Sequence, residues 1–311
     1  MRRNLAYLLS VAACGALVAS CGGGNNDPIG SPTPTPSETP SPTPTPTPTT
    51  SNLDFGQDFE KTTTNANIIY AYFTPQSGGT EVFNDASRLN GTAAVQYSVD
   101  GDTVFAFPGL SQNVTFPNGT QTGKTTTSVT YEQGDDTLTL SIPNGDVLRA
   151  TLQRSQDYTQ DSIAGTLRSQ RVAIFFNPVT TTTAIGSTLS YSGQPQVAGG
   201  VLGETPSGAI SSPAITLSVA TDGTVTGTIR IYRMTGGTQQ LVAELPISEQ
   251  VDASGQFVEE VDDTARGLTG RIVGALAGAN REELVVLFSV SDIDDDDTIT
   301  ERYVGTLIAA R

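Results

Sequence analysis

The sequence from about residue 52 to residue 311 predicts an all-β protein, and three observations support this. Short runs of alternating or β-branched residues recur along the whole region. Many of these runs are separated by turn signals of the β-hairpin type, such as Asn90-Gly91 and Asp222-Gly223. No stretch keeps the apolar spacing of a long helix, although residues 275–284 are compatible with one or two helical turns.

Each predicted strand is a short apolar or β-branched run bounded by Gly, Asn or Asp. The predicted strands are residues 68–73, 93–99, 103–107, 128–131, 137–142, 147–152, 171–176, 187–192, 214–220, 224–233, 239–245, 256–261, 268–276, 284–290 and 300–309. The last eight follow one another with mostly short connections, which predicts an eight-stranded antiparallel up-and-down barrel. Closure of such a barrel would remove exposed sheet edges. A β-sandwich remains an alternative, because it has the same alternation of residues.

Residues 1–20 predict a lipoprotein signal peptide. Arg2 and Arg3 give a positive start, and residues 5–18 form an uncharged apolar run that is short for a membrane span. Residues 18–21 read Val-Ala-Ser-Cys, the pattern in which a bacterial cysteine is acylated and becomes the mature N-terminus. We therefore expect lipid, including palmitate, at Cys21. The following Gly22 favours sorting to the outer membrane, with the surface or periplasmic face left open.

Residues 21–51 predict a disordered linker. Within residues 31–50, proline stands at positions 32, 34, 36, 40, 42, 44, 46 and 48. Such spacing excludes helix and sheet and favours polyproline II. At about 3.1 Å per residue, twenty residues would reach roughly 60 Å. The linker is therefore interpreted as a spacer between a lipid anchor and a folded body.

The charge of the chain excludes one class of partner. There are 16 Lys and Arg against 32 Asp and Glu, a formal net charge of −16. Loss of Arg2 and Arg3 with the signal peptide leaves 14 against 32, or −18. Nucleic acid is excluded because phosphate binding needs clustered basic residues. The acidity fits a soluble surface kept away from an anionic bilayer, and the alternative is electrostatic steering of a cationic partner.

The residue types present predict a protein that is not an enzyme. The chain has no His, so Ser-His-Asp catalysis and His-ligated metals are excluded. Cys14 lies in the signal peptide and Cys21 is acylated, so thiolate sites and an intramolecular disulfide are excluded as well. No motif for a cofactor is present. An enzyme using paired carboxylates remains a minor alternative, since nothing in the sequence fixes their separation.

One acidic run is a weak calcium candidate. Asp292, Asp294 and Asp296 lie in residues 291–298, the densest charge run of the chain. An EF-hand loop needs Gly at its sixth position and Glu at its twelfth, whereas Asp297 and Tyr303 stand there. The alternative is a solvated hairpin tip between the last two predicted strands.

Three segments resemble bacterial lipoproteins of the transferrin-binding protein B type. They are residues 188–193 (TLSYSG), residues 214–229 with their Asp-Gly turn, and residues 270–284 (GRIVGALAGANREEL). The last is similar to a Gly-x-aromatic-x-Gly-x-x-Ala-x-Glu segment, with Leu276 where an aromatic residue is usual. The resemblance implies a solute-binding β-barrel over residues 171–311, preceded by a β-rich handle-like region over residues 52–170.

The resemblance and the anchor together predict a lipid-anchored binding protein of the cell envelope. Its partners would be the membrane, through the N-terminal lipid, and an unknown extracellular protein or small solute. Transferrin itself is not expected, because the chain matches none of the long loops that hold transferrin and lacks a second lobe. The alternative is a structural or adhesion component of the outer envelope that has no soluble ligand.

Overall fold

The structure, a computed structural model, describes residues 53–205, 210–292 and 299–311. The described residues form 21 β-strands and one short 3-10 turn, so the all-β prediction is confirmed. The predicted signal peptide, Cys21 and the whole of the predicted linker, residues 21–51, lie outside the described residues. Among the described residues there is no helix with the length and apolar character needed to cross a membrane.

The strands fall into three antiparallel sheets. The first eleven strands form two sheets, which we call the handle sheets: β1 Phe59–Thr64, β2 Asn67–Pro75, β3 Val82–Leu89, β4 Thr92–Tyr97, β5 Thr103–Ala106, β6 Val114–Phe116, β7 Gln121–Lys124, β8 Ser128–Gln133, β9 Asp136–Ser141, β10 Val147–Gln160 and β11 Ile163–Phe176. The remaining ten form the third sheet, which we call the barrel: β12 Leu189–Gly193, β13 Gln196–Val201, β14 Ile210–Ser211, β15 Ile215–Val219, β16 Thr224–Thr235, β17 Thr238–Gln250, β18 Gln256–Asp263, β19 Leu268–Ala277, β20 Glu283–Asp292 and β21 Glu301–Ala310.

A bent two-stranded ribbon joins the two handle sheets. β1 pairs with β4 and β2 pairs with β3, and one register runs through both pairs. The ribbon bends where Asn65 faces Gly91, and both residues have positive φ, 62° and 117°. The first sheet has the order β1-β4-β5-β6, and the second has the order β3-β2-β11-β10-β9-β8-β7. β1 is therefore an edge strand.

The ten barrel segments act as eight strands. β12 and β13 keep one register against β21, with Ser192 opposite Ala310 and Gln196 opposite Thr306. β14 and β15 both pair with β16, so they too form one interrupted strand. The hydrogen-bonded order of the eight is then β17-β16-β15-β12-β21-β20-β19-β18. The predicted strand number is confirmed, and one sheet encloses one apolar core.

The structure differs from the predicted closed barrel at the seam between β17 and β18. No backbone ladder joins these two strands over their described residues. Two carboxylates of β18 instead accept backbone N–H groups of β17: Asp263 from Glu244 at 2.8 Å, and Glu259 from Ser248 at 3.1 Å. The barrel is therefore not closed by backbone pairing over its described residues, and at this seam side chains bridge the two strands.

Strand β20 connects the barrel core to the handle sheets. Leu284, Val286 and Phe288 point into the barrel core. Val285 and Leu287 point outward and pack in a second cluster with residues of β2, β3, β10 and β11. Because β20 is buried on both faces, it reads as a continuous apolar run. A third cluster lies between the two handle sheets.

The strands of the structure differ in number and in their limits from those predicted from the sequence. Residues 275–284 contain no helix, because β19 continues to Ala277 and β20 begins at Glu283. Fifteen predicted strands are present, whereas β1, β3, β6, β7, β13 and β14 were missed. The limit between the predicted regions 52–170 and 171–311 falls within β11, which spans Ile163–Phe176, and that division stays a prediction.

Candidate functional site

A groove of about 750 Å³ opens between the handle sheets and the outer face of the barrel. Its size lies in the range of small-molecule sites, roughly 300–1,000 Å³. Two further cavities, of about 20 and 30 Å³, hold at most a water molecule or two. We call the 750 Å³ space the interlobe groove and treat it as the candidate binding site.

The handle wall of the interlobe groove is built around the bend in the ribbon. Thr62 and Thr64, both exposed on β1, line it together with Asn65 and Arg88. The Asn65 N–H donates to the Gly91 carbonyl at 2.9 Å, and the Gly91 N–H donates to Asn65 Oδ1 at 2.9 Å. A Cβ at Gly91 would also approach Pro108 at 3.2 Å. The positive φ and the close approach explain why glycine stands here.

The barrel wall is the outer face of β18, β19 and β20. Val273, Ala275 and Leu287 form its apolar floor, and Val258 stands at the rim with 54% of its surface exposed. Gly274 also lines the groove, and glycine stands there because a Cβ would come within 2.2 Å of the Phe257 ring. The groove therefore has an apolar side on the barrel and a hydrogen-bonding side on the handle.

Two arginines, one from each side, supply the charge of the interlobe groove. Arg88 comes from β3 and Arg271 from β19, and none of the described lining residues is Asp or Glu. Burial lowers the pKa of Arg88, and the positive charge of Arg271 lowers that pKa further, while Glu260 raises it. Arg271 forms an exposed ion pair with Glu260, its ladder partner on β18. These three side chains carry a net charge of +1.

This arrangement can bind a ligand but offers little for catalysis. The lining residues include Thr, Asn, Gln, Arg, Phe, Val, Ala and Leu side chains, with no carboxylate, thiol, amine or phenol among those described. General acid–base and nucleophilic catalysis need such groups within reach of the substrate. Threonine hydroxyls and guanidinium groups instead suit recognition through hydrogen bonds.

Only one of the three predicted calcium residues, Asp292, lies among the described residues. Asp292 ends β20, where its Oδ1 accepts the N–H groups of Thr300 at 3.0 Å and Glu301 at 2.5 Å. It therefore caps the start of β21. Asp294 and Asp296 lie outside the described residues, so the calcium site stays a prediction. The described ranges contain no group of three or more acidic, His or Cys residues that is suited to a metal ion.

Sequence reasoning missed both arginines as site residues. Arg271 lies in the segment quoted for the family resemblance, and Arg88 lies two residues before the Asn90-Gly91 turn signal. The available signal was the scarcity of basic residues, 16 against 32 acidic ones. The structure places two of these basic residues in one groove. Their meeting depends on the packing of β3 against the barrel, which no local pattern encodes.

Similarity to known proteins is found among solved structures. No protein-family model matches the chain, and no curated protein matches it. Solved structures of transferrin binding protein B do match, and each comparison covers 78% of this chain. A single-site variant from Haemophilus parasuis Hp5 gives a TM-score of 0.37 at 11% identity over 46% of that chain. A double variant from the same source gives 0.39 at 12% identity over 44%.

The isotype 1 transferrin binding protein B from serogroup B Neisseria meningitidis gives a TM-score of 0.38 at 13% identity, over 44% of that chain. The chain thus spans less than half the length of the solved structures it matches. These structures belong to the family that the sequence motifs resembled.

Proposed function

We propose that this chain is a non-enzymatic binding protein of the bacterial cell envelope that takes up a small solute in the interlobe groove. The observation that carries the proposal is the groove itself. It has a volume of about 750 Å³, one apolar wall, one hydrogen-bonding wall and no acid–base or nucleophilic side chain among its described lining residues.

The N-terminal sequence supports the envelope location. Lipid at Cys21 would hold the protein at the outer membrane, and the proline-rich linker would set its distance from the bilayer. The net charge of −18 that remains after loss of the signal peptide would keep the folded body away from anionic headgroups. The groove would then be open to solutes outside the cytoplasm.

The proposal is tested by screening the full chain, in detergent micelles, against a library of small polar solutes by ligand-observed NMR. Thr62→Trp fills the groove from an exposed position on the edge strand β1. Thr115→Trp is the matched control, because Thr115 is exposed on β6, the other edge strand of the same sheet, and is not a lining residue.

We expect at least one solute whose binding is lost in Thr62→Trp and kept in Thr115→Trp. A screen in which every bound solute binds Thr62→Trp as well as the parent chain rejects the groove as the site. If no solute binds, and cross-linking in cells returns one constant envelope neighbour, the structural alternative replaces the proposal.

A further inference from the structure

We propose that the interlobe groove is selective for a small organic monocarboxylate, whose charge is held by Arg88 and Arg271. This inference rests on the proposed function and specifies the ligand class of the same site. The chain has a net charge of −16, whereas the only charged lining residues of the groove, within the described part, are these two arginines.

Arg88 is the main anion donor. Its only hydrogen bond within the described residues runs from Nη1 to the Asn65 carbonyl at 3.0 Å. No carboxylate among them lies within ion-pair distance. A guanidinium carries five N–H donors in a planar fork, so most of them remain available. That fork matches the two oxygens of a carboxylate, and charge-assisted bonds of this kind are among the strongest in proteins.

The handle holds Arg88 in a prepared position. Its acceptor Asn65 is fixed at the bend by two hydrogen bonds with Gly91, each 2.9 Å long. The Asn67 side chain adds a third bond to the same Gly91 carbonyl, also at 2.9 Å. A donor anchored on a rigid bend loses little conformational entropy when a ligand arrives.

Arg271 supplies a second, adjustable donor. It is bound to Glu260, and the Arg271 and Glu260 side chains are 49% and 67% exposed. Exposed ion pairs of this kind stabilise a fold little, so a ligand carboxylate can share or replace Glu260 at small cost. The anion would also offset the burial of Arg88 and its repulsion by Arg271, both of which lower the pKa of Arg88.

Charge and size define the class of ligand. Arg88, Arg271 and Glu260 sum to +1, which one carboxylate neutralises, whereas further negative charges on a ligand would have no local partner in a chain of net charge −16. Val258 and Val273 offer an apolar contact for the body of the ligand, and Thr62 and Thr64 offer hydroxyl groups on the opposite wall. A volume of about 750 Å³ leaves room for an organic acid of any size up to that of a drug-like molecule.

The test compares matched pairs of solutes on the full chain in detergent micelles. Each pair is a small monocarboxylate and its neutral primary amide, and affinities are measured by isothermal titration calorimetry. We expect carboxylates to bind at least about tenfold more tightly than their amides. Arg88→Gln should abolish that preference, Arg88→Lys should restore part of it, and Arg271→Gln should reduce it less.

Arg311→Gln is the control for charge removal. Arg311 is exposed, donates to the Asn280 carbonyl at 3.2 Å and is not a lining residue, so the carboxylate preference should survive this change. Equal loss in Arg311→Gln and Arg88→Gln would overturn the inference as a general charge effect.

Two further outcomes separate this inference from the proposed function. Carboxylates and amides that bind equally, with both lost in Thr62→Trp, would overturn the anion selectivity and leave the groove as the binding site. Carboxylates that bind Thr62→Trp as well as the parent chain would overturn both.

Discussion

Glu283 connects the two halves of the fold through a buried polar network. Its side chain lies at the start of β20, is 1% exposed, and accepts the Asp146 N–H at 2.6 Å. Asp146 in turn accepts the Asn177 amide at 3.0 Å, and Asn177 accepts the Lys61 ammonium at 2.8 Å. Burial lowers the pKa of Lys61 and raises the pKa of Glu283, so both charged forms carry a desolvation cost.

The raised pKa of Glu283 predicts a pH dependence of stability. Because the folded protein holds this proton more tightly than the unfolded chain, the contribution of Glu283 to the free energy of unfolding falls as pH rises. The fall begins at the usual carboxyl pKa, about 4.3, and continues up to the raised value. Glu283→Gln has no such proton, so its stability relative to the parent should improve between about pH 4 and pH 7.

Urea unfolding of the parent and of Glu283→Gln, at about pH 4 and about pH 7, measures this difference. Glu60→Gln, which removes a charge from an exposed position on β1, is the control. The stability difference between Glu283→Gln and the parent could instead be identical at both pH values. That result would show that burial does not raise the pKa of Glu283.

The bend in the ribbon formed by β1 to β4 is the element that shapes the handle wall of the groove. Gly91→Ala should lower the free energy of unfolding by more than about 1 kcal/mol, because a φ of 117° strains alanine and its Cβ would approach Pro108. Gly119→Ala, at a position without positive φ or nearby atoms, should change stability little. Thermal unfolding distinguishes the two, and equal effects would remove the special role of the bend.

The barrel seam is the second element that can be tested. Asp263 is buried, accepts the Glu244 N–H across the seam and pairs with Arg266 at 2.9 Å. Asp263→Ala should cost about 1–3 kcal/mol, because it leaves a buried donor without a partner. Its exposed neighbour Asp262 is the matched control, and Asp262→Ala should stay within about 0.5 kcal/mol.

Urea unfolding compares these two seam variants. Equal stability of the Asp262 and Asp263 variants would mean that the seam is held by apolar packing alone.

The sequence predicted strands where burial imposes alternation, and it failed where strands extend beyond a core. β10 and β11 were predicted as residues 147–152 and 171–176, yet they continue to Gln160 and back from Ile163. The added residues are mostly polar and form a hairpin that projects past the core, so no apolar pattern marks them. β3 was missed for a similar reason, since Asn84, Asp85 and Ser87 interrupt its apolar residues.

At the scale of the whole molecule, the outward face of β20 ties the barrel to the handle sheets. Leu287 is 2% exposed and belongs to the cluster shared by both parts. Leu287→Ala should cost about 2–5 kcal/mol, and the loss should appear in both parts because they unfold together. Ile163→Ala, at a 49% exposed position on the β10–β11 hairpin, is the control.

Hydrogen exchange measures this coupling through the slowest amides of β10 and β20. We expect Leu287→Ala to lower the opening free energy of both strands by the same amount. A change confined to β20 would show that the barrel and the handle sheets are independent folding units.

The fold class and the strand number of the barrel could be predicted from the sequence, whereas the site could not. Alternation and turn residues are local signals, and they sufficed for β15 to β21. Arg88 and Arg271 are brought together only when β3 packs against the barrel, across 183 positions of sequence. Such a meeting depends on tertiary packing, for which the chain carries no local pattern.

One measurement tests whether the interlobe groove is an anion-selective binding site. It is the equilibrium binding of the tightest carboxylate from the matched pairs to the full chain, Thr62→Trp, Arg88→Gln and Thr115→Trp. The account predicts one site per chain, with binding lost in Thr62→Trp, weakened at least about tenfold in Arg88→Gln, and unchanged in Thr115→Trp. Unchanged binding in Thr62→Trp and Arg88→Gln would contradict the assignment of the interlobe groove as an anion-selective binding site.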